Sequence, residues 1–276
     1  MSVDQRYQVL RRVARDAGVL ALGFWKKRAT LTIEQKGPQD FVTRADQEVE
    51  NFIRRELAAA FPGDGFLGEE TLSSFRDGND RLWIVDPIDG THNFLRGIAY
   101  WNVSIAYVEQ GVRTLGAVYD PPHDQLFHAR RGGGAWRSGP AGDVRLQVAQ
   151  PAALQGSMVA VGHSDRYPEP RYLRLRRALM DANVVFRNFG AAALQIAHVA
   201  EGRLDGYIEL DLSAWDAMAG LLLVEEAGGY VGPFPGPSGL TALAPVIATA
   251  PGIAGAVSDM VRGCIEADPS SLRSSR

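Results

Sequence analysis

The chain has 276 residues, of which 46% are hydrophobic, and it carries a formal net charge of −3 with a single cysteine, Cys264. This length and apolar content allow a full core in one large domain or in two closely packed lobes. Its 29 Lys and Arg residues are scattered along the chain, which argues against a nucleic-acid-binding protein that depends on bulk charge. One cysteine cannot form an internal disulfide, and no apolar stretch has signal-peptide or membrane-spanning length, so we expect a cytoplasmic protein that does not enter a membrane.

The first half of the chain is predicted to hold two amphipathic helices followed by strands. Apolar residues at three- and four-residue spacing predict an opening helix within 7–24 and a second helix over 45–60. A short apolar run predicts a buried strand at 82–85. Alternating apolar residues within 101–119 predict a hairpin, and another strand pair is predicted around the glycines at 132–134.

The second half is predicted to alternate strands and helices without regular βαβ spacing. Strands are expected at 157–161 and 204–209, and helices at 172–182, 191–200 and 216–226. This irregular order favours layered α/β or α+β packing over a doubly wound sheet.

The Gly- and Pro-rich stretch at 139–151 is the predicted lobe boundary. It separates an N-terminal lobe, 1–145, that carries most of the acidic motifs from a C-terminal lobe, 146–268. Residues 269–276 are polar and are predicted to form a flexible tail.

The segment 83–94, WIVDPIDGTHNF, holds the most informative acids of the chain. Asp86 and Asp89 would lie together at the mouth of an apolar strand, where they repel each other and lose solvation unless cations compensate. Oxygen ligands alone favour a hard cation such as Mg²⁺. Gly90 allows a tight turn before a helix that begins at Thr91, and the backbone N–H groups there would form a phosphate cradle.

Three further acidic segments could join this site, although each has a simpler explanation. Asp46 and Asp216 stand at predicted helix starts and could serve only as N-caps. Glu69 and Glu70 could be solvated surface residues. These simpler explanations weaken because all four segments occur in one chain.

Together the four segments resemble the inositol monophosphatase family from position 36 to about 229. The resemblance is carried by GEE at 68–70, DPIDGTHNF at 86–94, and WDAMAG at 215–220 with EAGG at 226–229. It implies a layered αβαβα sandwich of the sugar-phosphatase type and a lithium-sensitive, Mg²⁺-dependent phosphomonoester hydrolase. It also implies a homodimer with a small phosphorylated polyol or sugar as substrate.

The resemblance assigns roles to particular residues. It implies two to three Mg²⁺ ions held by side-chain carboxylates and one backbone carbonyl, from Glu69, Asp86, Ile88, Asp89 and Asp216. Asp46 and Thr91 would orient the attacking water, and Glu70 would lie behind the metal ligands. On the substrate side it implies Gly90, Thr91, Ala191 and Glu209, with Ala191 at a position where the family often has serine.

The leaving group is less specified than the metal site. Asp211, close to Glu209, would favour a cationic or hydroxyl-rich leaving group, and no Lys/Arg cluster near the motifs indicates a second phosphate subsite. Inositol-1-phosphate is the expected substrate. The alternatives are histidinol phosphate, fructose 1,6-bisphosphate, a nucleotide 3′-phosphate, or a non-catalytic regulatory protein that keeps the fold.

Overall fold

The computed structural model of the protein describes residues 2–28, 33–37, 40–72, 78–163 and 170–266. The predicted tail at 269–276 and the lobe end at 268 lie outside these residues. The helices of the described part are α1 (Val3–Lys26), α2 (Arg44–Ala60), α3 (Thr91–Arg96), α4 (Pro170–Asp181), α5 (Ala192–Ala200), α6 (Ala214–Glu226) and α7 (Ala254–Glu266). The strands are β1 (Ile33–Gly37), β2 (Asp40–Thr43), β3 (Gly65–Gly68), β4 (Arg81–Asp89), β5 (Asn102–Glu109), β6 (Val112–Asp120), β7 (Gln125–Arg130), β8 (Ala135–Gly139), β9 (Gly142–Arg145), β10 (Met158–Val161), β11 (Val185–Arg187), β12 (Gly206–Leu212), β13 (Tyr230–Val231) and β14 (Ala244–Thr249).

Two large sheets organise these elements. The first sheet has seven strands in the order β3-β4-β5-β6-β7-β8-β9, and only its β3–β4 pair is parallel. The second has five strands in the order β11-β10-β12-β14-β13, with β10 parallel to both of its neighbours. The predicted β5–β6 hairpin is confirmed, and Gln110 and Gly111 take the positive φ angles that a tight two-residue turn needs.

The helices complete a five-layer αβαβα sandwich, as the resemblance implied. Helices α1 and α2 cover one face of the seven-stranded sheet, α5 and α6 fill the space between the sheets, and α4 and α7 cover the outer face of the five-stranded sheet. Helix α6 is buried on nearly all sides, including the consecutive residues Leu221, Leu222, Leu223 and Val224. A helix that is apolar all round belongs between two layers, which is where α6 lies.

The predicted elements agree with the observed ones within a few residues, with one difference that matters for the site. The strand predicted at 82–85 continues to Asp89, so that Asp86 and Asp89 belong to β4 itself. The β4–β5 register shifts between these two acids. Strands β1, β2, β3, β9, β11, β13 and β14 and helix α7 were not predicted; these strands have only two to six residues, which is too few for a clear alternating pattern.

The strands of the seven-stranded sheet all precede position 146, and those of the five-stranded sheet all follow position 157. The division into lobes at 145/146 nevertheless stays a prediction, because one apolar cluster includes residues of both sheets. None of the described helices is both long and apolar enough to cross a membrane.

Candidate metal centre

Three acids from two distant elements converge at the C-terminal end of β4, in the seven-stranded sheet. Asp86 and Asp89 come from β4, and Asp216 comes from the first turn of α6. One carboxylate oxygen of each residue lies within 4.8 Å of the other two. Asp86 and Asp89 are buried, whereas Asp216 is partly exposed, so the cluster is open to solvent mainly on the Asp216 side.

Strand β5 places these acids through two buried polar residues. Ser104 is the cross-strand partner of Asp86, and its hydroxyl donates to the backbone carbonyl of Trp215 at 3.0 Å. This bond holds the first turn of α6 against β4. Asn102 is the cross-strand partner of Asp89 and donates its side-chain N–H to that carboxylate at 2.6 Å.

Asp89 also caps a helix that lies far away in sequence. Its two carboxylate oxygens accept the backbone N–H groups of Ala192 at 3.0 Å and Ala193 at 2.8 Å, at the start of α5. The N-cap residue Ala191 makes no side-chain hydrogen bond. A distant carboxylate therefore performs the capping that a local Ser or Asp usually performs, which explains how alanine is tolerated there.

The electrostatics of the cluster call for a cation. Burial raises the pKa of Asp86 well above its usual range, and the charges of Glu69, Asp216 and Asp89 raise it further. Burial also raises the pKa of Asp89, although hydrogen bonds from Asn102 and the start of α5 oppose that rise. Several carboxylates in a poorly solvated space are unfavourable without a cation, and a donor set made only of oxygen suits Mg²⁺.

Glu69 and Glu70 directly follow β3, at the same end of the sheet as the cluster. The backbone N–H of Glu69 donates to the carbonyl of Val85 at 3.2 Å and so extends the β3–β4 pairing up to Asp86. The backbone N–H of Glu70 donates to the buried carboxylate of Glu50 in α2 at 2.8 Å. Glu69 therefore adds a fourth acid beside Asp86, and α2 supports the segment that carries it.

Glu50 was not singled out from the sequence, although a signal for it exists. Asp46 and Glu50 are four residues apart on α2 and are both 1% exposed. They share a buried face with Ile53 and Leu57, so acids occupy positions of the helical pattern that usually hold apolar residues. Asp46 lies inside the first turn of a helix that begins at Arg44, and its predicted pairing with Thr91 stays a prediction.

The β4–α3 turn is as tight as the sequence indicated. The Ile88 N–H donates to Asp86 Oδ1 at 2.9 Å, and the Thr91 hydroxyl donates to the Ile88 carbonyl at 3.1 Å. Gly90 has φ 92°, and a Cβ there would lie 3.0 Å from the Cβ of Ala191. Helix α3 begins at Thr91 as predicted, and only glycine suits position 90.

The simpler explanation for Asp216 is wrong. Ser213, not Asp216, is the N-cap residue of α6, and Asp216 points its carboxylate at the other acids. Glu209 is 6% exposed, and its carboxylate accepts a hydrogen bond from the hydroxyl of Tyr207. Burial, opposed by that bond and assisted by Asp216 and Asp89, raises the pKa of Glu209 to about 8.

A small pocket adjoins Glu209 and contains Asp211, the extra carboxylate two residues further along β12. Asp211 Oδ2 lies 2.7 Å from Arg171 Nη2 in an ion pair, so the charge of Asp211 is paired, and its predicted effect on the leaving group stays a prediction. Arg171 was missed because it stands in α4, far from every motif, and no local pattern links it to β12.

The chain matches the profile of the inositol monophosphatase family over residues 2–262. It is 43% identical over 202 residues to a Rhizobium meliloti (strain 1021) protein named inositol-1-monophosphatase, a match that covers 72% of this chain and 74% of that protein. It is 40% identical over 232 residues to a Xylella fastidiosa (strain Temecula1) protein named Nus factor SuhB, covering 83% and 82%. The crystal structure of the extragenic suppressor protein suhB from Bartonella henselae superposes with a TM-score of 0.83 at 35% identity, covering 92% of this chain and 97% of that one.

The match spans nearly the whole chain, and the acids of its motifs meet at one place in the fold. The chain therefore belongs to the inositol monophosphatase family of metal-dependent enzymes and is a phosphatase.

Proposed function

We propose that the protein is a Mg²⁺-dependent phosphatase that hydrolyses inositol-1-phosphate. The observation that carries this proposal is the convergence of Asp86, Asp89 and Asp216, whose carboxylate oxygens lie within 4.8 Å of one another. The name of the Rhizobium meliloti relative, inositol-1-monophosphatase, supports the choice of substrate.

In this proposal two to three Mg²⁺ ions are held by oxygen atoms of Glu69, Asp86, Ile88, Asp89 and Asp216. When bound, the ions supply positive charge that acidifies the attacking water and stabilises the phosphoryl group and the leaving oxygen. The Thr91 hydroxyl and the Asp46 carboxylate orient that water. Glu70 lies behind the ligands and completes the negative charge that the ions balance.

The substrate lies at the same end of β4. The backbone N–H groups at Gly90 and Thr91 bind the phosphate, since they stand at the start of α3 directly after Asp89. Ala191 and Glu209 border the alcohol part. Glu209 accepts a hydrogen bond from a hydroxyl of the alcohol, because the Glu209 carboxylate is buried next to the acid cluster rather than exposed to bulk solvent.

The test is phosphate release from inositol-1-phosphate with Mg²⁺ and with a chelator. We expect hydrolysis only with Mg²⁺. We expect Asp216→Asn to lower the rate of hydrolysis at least about 100-fold, because the loss of a residue that only supports a metal ligand already lowers activity by up to about 100-fold. Asp216 is a cleaner choice than Asp89, which also caps α5. Asp259 is an exposed aspartate on α7, and Asp259→Asn is the matched control. This variant should hydrolyse the substrate at the wild-type rate.

Three other substrates complete the screen: histidinol phosphate, fructose 1,6-bisphosphate and a 3′-phosphorylated nucleotide. Preference for one of them would replace the substrate but keep the mechanism. An enzyme that stays inert toward all four in the presence of Mg²⁺ would contradict the proposal.

A second candidate role is that of a regulatory partner protein. The Xylella fastidiosa relative is named a Nus factor, which favours a function that depends on the folded surface as well as on hydrolysis. Asp216→Asn separates the two roles, because it should abolish hydrolysis and leave partner binding intact. We further infer that the protein is cytoplasmic and forms a homodimer. Sedimentation of the purified protein would test the oligomeric state.

A further inference from the structure

Two segments that are distant in sequence are in contact beside the acid cluster. One is the β4–α3 turn, which carries Asp89 and Gly90, and the other is the 188–191 segment, which leads into α5. The carboxylate of Asp89 accepts the first backbone N–H groups of α5. A Cβ at Gly90 would lie 3.0 Å from the Cβ of Ala191 and 3.1 Å from the carbonyl oxygen of Gly190. The 188–191 segment therefore packs directly on the turn that follows the acids of β4.

Asn93 in α3 joins the 188–191 segment to the seven-stranded sheet side of the site. Its side-chain amide has two N–H groups, which donate to the Phe189 carbonyl at 2.7 Å and to the Tyr100 carbonyl at 2.8 Å. Asn93 is 9% exposed, so water competes little for these two hydrogen bonds. Gly190 lies against the same amide, because a Cβ there would come within 3.2 Å of Asn93 Nδ2. One buried amide thus fixes the distance between the 188–191 segment and α3.

The β4–α3 turn keeps its shape through bonds of its own. The Thr91 hydroxyl donates to the Ile88 carbonyl at 3.1 Å, and the Phe94 N–H donates to the Gly90 carbonyl at 2.9 Å. Neither of these bonds involves the side chain of Asn93. Loss of the Asn93 amide should therefore displace the 188–191 segment relative to the turn and leave the turn itself intact.

The 188–191 segment is also held by α5, through a second buried amide. Gln195 Oε1 accepts the Phe189 N–H at 3.0 Å, and Gln195 Nε2 donates to the Ala191 carbonyl at 3.1 Å. Gln195 is 1% exposed. Gln195 therefore fixes the shape of the segment on its own helix, whereas Asn93 fixes its position relative to α3.

We propose that Asn93 is a positioning residue, which holds the 188–191 segment at a set distance from the β4–α3 turn and so places the alcohol part of the substrate relative to its phosphate. The proposal rests on the proposed function, in which the turn binds the phosphate and Ala191 borders the alcohol. Asn93 itself touches no reacting atom. A displacement of about 1 Å between the two segments would misalign a substrate that contacts both, and such a displacement lowers the rate by up to about 100-fold.

The experiment measures kcat/KM for inositol-1-phosphate and for methyl phosphate, with Mg²⁺, in wild type, Asn93→Ala and Asn93→Asp. Inositol-1-phosphate has an alcohol large enough to contact the 188–191 segment, whereas the alcohol of methyl phosphate has a single carbon. Asn93→Ala removes both N–H donors, and Asn93→Asp keeps the size of the side chain but turns a carboxylate toward two carbonyl oxygens. We expect the ratio of kcat/KM for inositol-1-phosphate to that for methyl phosphate to fall about tenfold or more in both variants.

Inhibition by inorganic phosphate is the second measurement, because phosphate alone needs the turn and the metal ions but not the 188–191 segment. We expect its inhibition constant to keep the wild-type value in both Asn93 variants. Asn51→Ala changes an exposed asparagine of α2 and is the matched control, which should alter neither the ratio nor the inhibition constant. Unfolded enzyme lowers both kcat/KM values by one factor, so a variant that folds poorly changes neither quantity.

The possible failures are distinguishable. If either Asn93 variant keeps the wild-type ratio, or if inhibition by inorganic phosphate weakens as much as kcat/KM for inositol-1-phosphate falls, the positioning proposal is overturned while the phosphatase function stands. If wild type hydrolyses neither ester with Mg²⁺, the proposed function fails and the positioning proposal fails with it.

Discussion

Asp89 has two roles, and the second of them explains why its neighbour Ala191 can be an alanine at a helix N-cap. Asp89 faces the acid cluster and also accepts the backbone N–H groups of Ala192 and Ala193. Because Asp89 caps α5, Ala191 needs no hydroxyl of its own. A substitution of Asp89 would therefore remove charge from the metal centre and uncap a helix at the same time.

His128 is a second residue whose surroundings make a measurable prediction. It is 3% exposed, its Nδ1 lies 2.5 Å from the hydroxyl of Tyr7, and its Nε2 lies 2.8 Å from that of Ser138. Burial, assisted by the charges of Arg11 and Arg15, lowers the pKa of His128 from 6.5 to about 3. Between these two pH values, His128 is therefore protonated in the unfolded chain and neutral in the folded protein.

The stabilising contribution of neutral His128 is fully present above pH 6.5 and is lost as the pH falls from 6.5 toward 3. Between pH 7 and pH 5 we expect this residue to lower the free energy of unfolding by about 2 kcal/mol. His128→Gln cannot take up the proton, so its free energy of unfolding should fall less over this range. Urea unfolding of both proteins without Mg²⁺ checks the difference, and parallel pH profiles would refute it.

At the scale of elements, α2 acts as a support for the segment after β3. Glu50 accepts the N–H of Glu70, and Arg54 one turn further contacts the hydroxyl of Thr71. The Glu50 carboxylate lies against Gly68, where a Cβ would overlap it. One face of this helix thus holds the chain on both sides of Glu69.

We predict that Glu50→Ala weakens metal binding without touching a metal ligand. The change leaves the Glu70 N–H without its acceptor, which costs about 1–3 kcal/mol of stability. With Glu69 held only on its β4 side, through the bond of its N–H to the Val85 carbonyl, the Mg²⁺ concentration for half-maximal activity should rise about tenfold or more. Magnesium titrations of activity measure this shift.

Glu50→Gln keeps an acceptor for the Glu70 N–H and should restore most of the magnesium response. Glu48→Ala, at an exposed position of the same helix, is the matched control. If Glu50→Ala loses stability but keeps the wild-type magnesium curve, the role of α2 is structural only.

Elements with strong periodicity were predictable from the sequence, and those defined by their partners were not. Helix α2 has an apolar stripe that continues over four turns, and the β5–β6 hairpin alternates on both sides of its turn. Strand β14 was not predicted, because it is defined by its pairing with β12 and β13. Helix α7 was missed although its buried residues Val257, Val261 and Cys264 recur at helical spacing. Strand β4 was predicted too short, since acids inside a strand oppose the usual propensity.

At the scale of the whole molecule, the acid cluster joins elements of different layers. Strand β4 belongs to the seven-stranded sheet, and α6 lies between the two sheets. The acids of these two elements repel each other, so the protein without a cation stores an unfavourable interaction in its middle layer. A cation bound there bridges two layers.

We therefore predict that Mg²⁺ stabilises the folded protein against heat. A ligand that binds only the folded state adds about 2.7 kcal/mol at a concentration 100 times its Kd. Calorimetric unfolding with Mg²⁺, and with NaCl at equal ionic strength, measures this gain. Asp216→Asn should reduce the Mg²⁺-specific part and leave the response to NaCl unchanged. An equal response to both salts in wild type would show that the acids do not form a site.

The sequence alone indicated a site for a hard cation through its acids, and the resemblance carried by the DPIDG, GEE and WDAMAG motifs implied the class of reaction. The order of its helical and strand periodicities favoured layered α/β or α+β packing, and the resemblance implied the αβαβα sandwich. Only the tertiary structure decided how Asp89 caps α5, how Glu50 supports Glu69 and how Arg171 neutralises Asp211. Each of these contacts joins residues far apart in the chain, and the pattern around one residue carries no information about a partner that folding brings to it.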